Sequence, residues 1–271
     1  MKRLAKSVRY FLLALQFFTR IPVTGRLGKW VDYSPEALRK SSAYFPAIGW
    51  IVGAVTAFTY WIIAFNLPDL PATPLVAALL STFVGLMLTG AFHEDGLADL
   101  TDGLGGSMQR EKALEIMKDS RIGSFGTIAL IIALGTKISV LTLLGQKDII
   151  LACWALLGAH ISSRFAPLFL IRFQSHVGDE AGSKSKPLSD AISWPTLSVG
   201  AFWWLASLFL LHITYSDVPW WGAIIGTVLA LIWMFKLLIR RLNGFTGDGL
   251  GATQQVCEIG FYLGLLLVMK P

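Results

Sequence analysis

AYFPAIGWIVGAVTAFTYWIIAF, residues 43–65, contains no Asp, Glu, Lys, Arg or His. A helix of about 20 residues rises about 30 Å, the thickness of bilayer hydrocarbon. Gly49 and Gly53 stand four apart, the small-residue spacing that lets a second helix approach the backbone. Further apolar runs follow at residues 74–92, 125–145, 149–171, 194–215, 220–239 and 252–269. Trp61, Trp194, Trp220 and Trp221 fall near run ends, where amphipathic rings favour the membrane interface. Residues 8–18 are too short to span and are flanked by cations, the pattern of an amphipathic helix lying in the interface. The expected fold is all-α. It is a polytopic transmembrane helical bundle of about seven spans, forming a single integral membrane domain over residues 1–271 with an interfacial N-terminal segment, 1–42.

Composition supports this class. Hydrophobic residues make up 54% and charged residues 15%, with a mean hydropathy of +0.61; soluble domains carry about 25% charged residues. The net charge of +6 does not imply nucleic acid, because Lys and Arg of membrane proteins collect in cytoplasmic loops. With the N-terminus inside, 19 of the 23 cations fall in segments 1–42, 93–124, 172–193 and 236–251. The cytoplasmic N-terminus is therefore expected, and these four segments face the cytoplasm. Lys2, Arg3, Lys6 and Arg9 ahead of a short apolar stretch resemble a secretory signal. Phe17-Phe18-Thr19-Arg20 rather than small residues follow, so the segment is expected to be retained. Cys153 and Cys257 lie in apolar runs without partners at zinc spacing. Residues 178–187, GDEAGSKSKP, read as a turn-rich loop.

Three polar stretches carry chemistry. In His93-Glu94-Asp95-Gly96-Leu97-Ala98-Asp99-Leu100-Thr101-Asp102-Gly103, Asp95, Asp99 and Asp102 share one face of a helix continuing from the second span. Carboxylates so placed repel one another unless a cation lies between them, and hard oxygen ligands suit Mg²⁺ or Mn²⁺. In Lys118-Asp119-Ser120-Arg121-Ile122-Gly123-Ser124, Ser124 is expected to cap the third span. That helix N-terminus, with Lys118 and Arg121, forms an expected phosphate clamp. In Gly244-Phe245-Thr246-Gly247-Asp248-Gly249-Leu250-Gly251, Gly247 and Gly249 allow close backbone approach and Asp248 adds a hard ligand. Arg164 and Glu258 lie inside spans, where charge is costly and usually functional; they either pair with each other or line the site with Lys137.

The acidic stretch with Gly105-Gly106, the Lys118–Gly123 segment, residues 244–252 and Phe18-Thr19-Arg20-Ile21-Pro22 together resemble the cobalamin synthase family, the adenosylcobinamide-GDP ribazoletransferases. The resemblance covers nearly the whole chain. It implies a Mg²⁺-dependent, multi-pass enzyme of the bacterial inner membrane with its active site on the cytoplasmic side. It also implies joining of adenosylcobinamide-GDP to α-ribazole, or its 5′-phosphate, with release of GMP. Asp95, Asp99 and Asp248 are then the expected metal ligands, and Asp102, Glu94 or His93 the expected base. The residues leave open a homo-oligomer or a complex with other cobalamin-assembly enzymes. A CDP-alcohol phosphotransferase is disfavoured because Asp99 stands where its signature requires Arg after Ala98. A cation transporter would need polar groups spread through the spans, whereas most lie at one face.

Overall fold

The computed structural model describes residues 2–31, 33–177 and 191–269. Most of the polar segment expected at 172–193 thus lies outside the described residues. The described chain is helical, with one isolated backbone bridge between His176 and Phe245. Its helices are α1 (Lys2–Phe18), α2 (Gly25–Val31), α3 (Pro35–Ser41), α4 (Phe45–Asn66), α5 (Thr73–Thr89), α6 (Phe92–Gly106) and α7 (Arg110–Ile116). They continue as α8 (Ser124–Lys147), α9 (Ile149–Phe165), α10 (Pro167–Phe173), α11 (Trp194–Thr214), α12 (Trp220–Leu242) and α13 (Gly247–Val268).

Local chemistry sets the boundaries. Asp148 caps α9 by accepting the Ile150 N–H at 2.8 Å, and Ser193 caps α11 ahead of Pro195; both satisfy donors that a helix start leaves without partners. Asn243, in the left-handed region at φ 59°, stops α12.

Among the described residues, five helical stretches are long and apolar enough to cross a membrane: Pro35–Asn66, Ser124–Lys147, Ile149–Phe173, Trp194–Thr214 and Trp220–Leu242. Counting α5 and α6 as one broken span makes six. The seventh expected span, α13, has the length but carries the buried side chains of Gln254, Gln255 and Glu258. It packs against α12, α6, α9 and α8, and that shielding is what allows a polar helix in an apolar bundle. The second expected span differs more. It does not run on into the acidic stretch, because Gly90 (φ 67°) and Ala91 (φ 55°) break it and α6 leaves at 89° to α5.

Small residues permit the tightest crossings. A Cβ on Gly49 would lie 2.5 Å from the His160 carbonyl oxygen, and one on Gly53 2.9 Å from the Leu157 Cα, so α4 and α9 touch backbone to backbone. Gly222 and Gly226 of α12 meet Gly260 and Gly264 of α13 in the same way. One apolar cluster, including Phe18, Phe45, Leu97, Leu100 and Phe245, surrounds the base of α6. A second, around Tyr60, Leu141 and Phe261, fills the opposite half of the bundle.

Gly49→Ala should therefore destabilise the protein by about 2 kcal/mol through forced backbone separation. Gly135→Ala, where a Cβ meets nothing within 4 Å, should be neutral. Thermal unfolding of both variants in one detergent checks the contrast.

Candidate active site

The site begins at the corner between α5 and α6. A side chain on Gly90 would collide with the Arg20 guanidinium, and the Arg20 N–H donates to the Leu88 carbonyl at 2.7 Å. Phe18 stacks on the His93 ring, centroids 5.5 Å apart and planes within 6°, and meets Phe45 edge-on at 4.3 Å. The Phe18–Pro22 stretch thus braces the corner from which α6 starts.

Along α6 the acidic residues have different surroundings. Asp95 is exposed, Asp99 half-buried and Asp102 buried. Thr246 caps α13 by accepting the Gly249 N–H at 3.0 Å, which places Asp248 in that helix's first turn. A Cβ on Gly96 would lie 3.0 Å from the Asp248 Cα, and Gly251 sits against His93 and Gly96. These glycines let α6 and α13 come close enough for their carboxylates to interact. Burial, then the charges of Asp95 and Asp102, pushes Asp99 up to about 6. Burial, then Asp99 and Asp95, pushes Asp248 up to about 7. Asp95, Asp99 and Asp248 thus lie near enough to interact, and of the three only Asp95 is exposed. Among the described residues, no three His, Cys, Asp or Glu side chains close into a group that could hold a metal ion by themselves.

Asp102 has another task. One carboxylate oxygen accepts the Gly123 N–H at 2.7 Å and the other the Gly126 N–H at 2.8 Å. It therefore caps α8 from across the site, and any side chain at Gly123 or Gly126 would collide with it. This corrects the expected cap. Ser124 is the first residue of α8 rather than its cap, and two of the N–H groups expected to receive an anion are already engaged. Arg121 is 86% exposed and grips Asp119, Nε to Oδ1 at 3.0 Å and a terminal nitrogen to Oδ2 at 2.6 Å. The fork holds the Asp119 carboxyl down at about 2. Lys118 lies exposed on the same loop after α7, and Gly247 opens α13.

Glu94 and His93 turn inward. Both are buried; Glu94 Oε1 accepts from Gln255 Nε2 at 2.8 Å, while its Oε2 has no hydrogen-bond partner among the described residues. Deeper in the bundle, Glu258 pairs with Lys137 (2.6 Å), not with Arg164 as one reading of the spans expects. Arg164 instead donates to the His160 carbonyl at 3.0 Å. Sequence reasoning overlooked Gln255 and also Arg241, which donates to the Leu104 and Ser107 carbonyls at 2.9 and 2.8 Å; Arg20 entered it only as part of the Phe18–Pro22 motif. The available signal for Gln255 was its place beside Gln254 within a span.

The chain resembles proteins named adenosylcobinamide-GDP ribazoletransferase. The one from Polaromonas sp. is 52% identical, covering 98% of this chain and 99% of the relative. That from Albidiferax ferrireducens is 51% identical over 97% and 99%, and that from Vibrio cholerae 41% over 98% of each. No solved structure matches. The apolar helices define a multi-pass membrane protein, and relatives of this identity over the full chain make it an enzyme of the transferase class. Within that class the chain belongs to the cobalamin-5-phosphate synthase family, whose model matches residues 10–266.

Asp102→Ala strands two N–H groups at the start of α8 and should cost about 2 kcal/mol of stability. Asp102→Asn, which keeps one acceptor, should cost less. A catalytic base would behave differently, losing turnover while melting unchanged, so thermal unfolding beside turnover separates the two roles.

Proposed function

We propose that this chain joins adenosylcobinamide-GDP to α-ribazole, or to its 5′-phosphate, in a Mg²⁺-dependent step that releases GMP. The observation that carries the reading is the apposition of α6 and α13, which brings Asp248 within charge–charge reach of Asp95 and Asp99 in a chain of this family. Carboxylates near enough to interact yet not forming a closed cage suit Mg²⁺, which takes one or two carboxylates and leaves other positions to water and substrate phosphate. Asp95, Asp99 and Asp248 would hold that ion, and when bound it neutralises charge on the diphosphate.

The chain's own residues supply the rest. A ribazole hydroxyl attacks the cobinamide-linked phosphorus; the new P–O bond forms as the bond to GMP breaks, and GMP leaves with its phosphate. Arg121 can exchange the Asp119 carboxylate for a phosphate of the GDP group, because its fork fits both geometries. Lys118 on the same loop adds a point charge. Gly247 and Gly249 let backbone approach the diphosphate at the start of α13. Of the candidate bases, Asp102 is engaged by the Gly123 and Gly126 N–H groups and Glu94 and His93 are buried, which supports a role for them in holding the site's shape. The bilayer is the second partner, and the excess of Lys and Arg in the loops around α6 and α13 argues for a cytoplasmic site in the inner membrane.

Asp99→Asn should abolish most GMP release from the GDP-activated corrinoid at saturating Mg²⁺ while the protein stays in the membrane. Arg121→Lys should weaken use of the activated corrinoid by roughly 1.5–3 kcal/mol, the worth of a charged hydrogen bond, and leave the ribazole requirement unchanged. Normal rates in both variants would remove the assignment. For topology, Ser107→Cys should react with an impermeant thiol reagent from the cytoplasmic side only and Asp69→Cys from the opposite side only; labelling reversed between the two would invert the orientation.

A further inference from the structure

α6 leaves α5 through two left-handed residues, so α5 does not by itself fix where α6 points. The glycine contacts at Gly96 and Gly251 set how near α13 can come, but contacts between small residues do not fix how far one helix slides along the other. A directional interaction must do that, and the buried core contains one. Glu94 is the neighbour of Asp95, and its Oε1 accepts from Gln255 Nε2 at 2.8 Å. Gln255 follows Asp248 by two helical turns and so shares its face of α13. The same Gln255 nitrogen donates to Gln254 Oε1 at 2.8 Å, and Gln254 Nε2 donates to Glu258 Oε2 at 2.8 Å and to Ser163 Oγ at 2.9 Å. Glu258 is held in turn by Lys137 of α8. The carboxamide that reaches Glu94 is thus anchored on α8, α9 and α13 at once. Glu94 Oε2 has no hydrogen-bond partner among the described residues, so this tie rests on Gln255.

We infer that Gln255 is a positioning residue, which through Glu94 sets the register of α6 on α13 and hence the separation of Asp95 and Asp99 from Asp248. It touches neither substrate nor the acidic face; it acts by holding Glu94. The inference rests on reading those three carboxylates as the cation site, but the spacing it asserts can be measured without a cation.

The test uses the full chain with Cys153 and Cys257 replaced by alanine and the pair Asp95→Cys/Asp248→Cys introduced, oxidised by copper phenanthroline. Disulfide formation demands close, well-aligned partners, so adding Gln255→Leu should slow cross-linking about fivefold or more. Adding Glu94→Gln, which keeps an acceptor oxygen for Gln255, should leave the rate within about twofold of the parent pair. In the enzyme with its carboxylates intact, Gln255→Leu should raise the Mg²⁺ concentration for half-maximal GMP release about tenfold, the usual consequence of losing a supporting contact behind metal ligands. kcat should recover at saturating Mg²⁺. A purely structural role would lower the melting temperature and leave the Mg²⁺ requirement alone. Should Gln255→Leu fail to fold, Gln255→Asn, equally polar and one methylene shorter, makes the same measurements. Unchanged cross-linking in the folded variant, or a loss of kcat that Mg²⁺ does not recover, overturns the inference. If the parent enzyme itself shows no Mg²⁺ dependence, the proposed function fails instead, and cross-linking still decides whether Gln255 sets the register.

Discussion

The pairing of Lys137 with Glu258 inside an apolar bundle constrains everything around it. A carboxylate without a partner in hydrocarbon costs several kcal/mol, so α8 and α13 must meet at one depth. Both side chains are buried and their charged atoms stand 2.6 Å apart. Gln254, Tyr262 and His160 crowd the same carboxylate, drawing in α9 as well. Exposed to lipid, α13 would carry this polar strip at great cost; surrounded by α12, α6, α9 and α8, it can serve as the bundle's polar axis. The glycine contacts of α12 with α13 and of α4 with α9 are the packing this arrangement needs, because close backbone approach replaces the hydrophobic drive that is missing between helices in lipid.

The corner at Gly90 and Ala91 is the second determinant. An unbroken α5 would send the acidic residues straight out along the span's axis. The break lays α6 across the end of the bundle instead, where it meets the first turns of α13 and α8 together. Phe18 and Arg20, far away in sequence, occupy the inside of the corner. The N-terminal helix is therefore part of the site's foundation as well as a surface element.

Within α6, three aspartates of one face divide by what lies opposite them. Asp95 and Asp99 lie within charge–charge reach of Asp248, and burial, then like charge, raises the proton affinity of Asp99 and Asp248. Asp102 looks toward the start of α8 and is consumed by two backbone N–H groups. Electrostatics of the same kind operates at both places, but one partner is a helix dipole that stabilises the charge and the other a carboxylate that opposes it. Arg121 and Asp119 show the exposed counterpart, an ion pair in water.

Much of this was legible in residue order. Runs without charge, their lengths and the glycines at spacing four determined that the chain is a helical membrane bundle, since spanning about 30 Å of hydrocarbon leaves few alternatives. The combination of acidic, basic and glycine-rich stretches at run ends pointed to the family. Residue order did not determine that α6 turns through 89°, because two left-handed residues in succession leave only a single glycine as a sign. Nor did it determine that Asp102 caps α8, that Lys137 and not Arg164 neutralises Glu258, or that Gln255 reaches Glu94. Each of those depends on which side chains meet across helices, and a hydrogen bond or ion pair is decided by distances of a few ångströms that only the packed bundle sets.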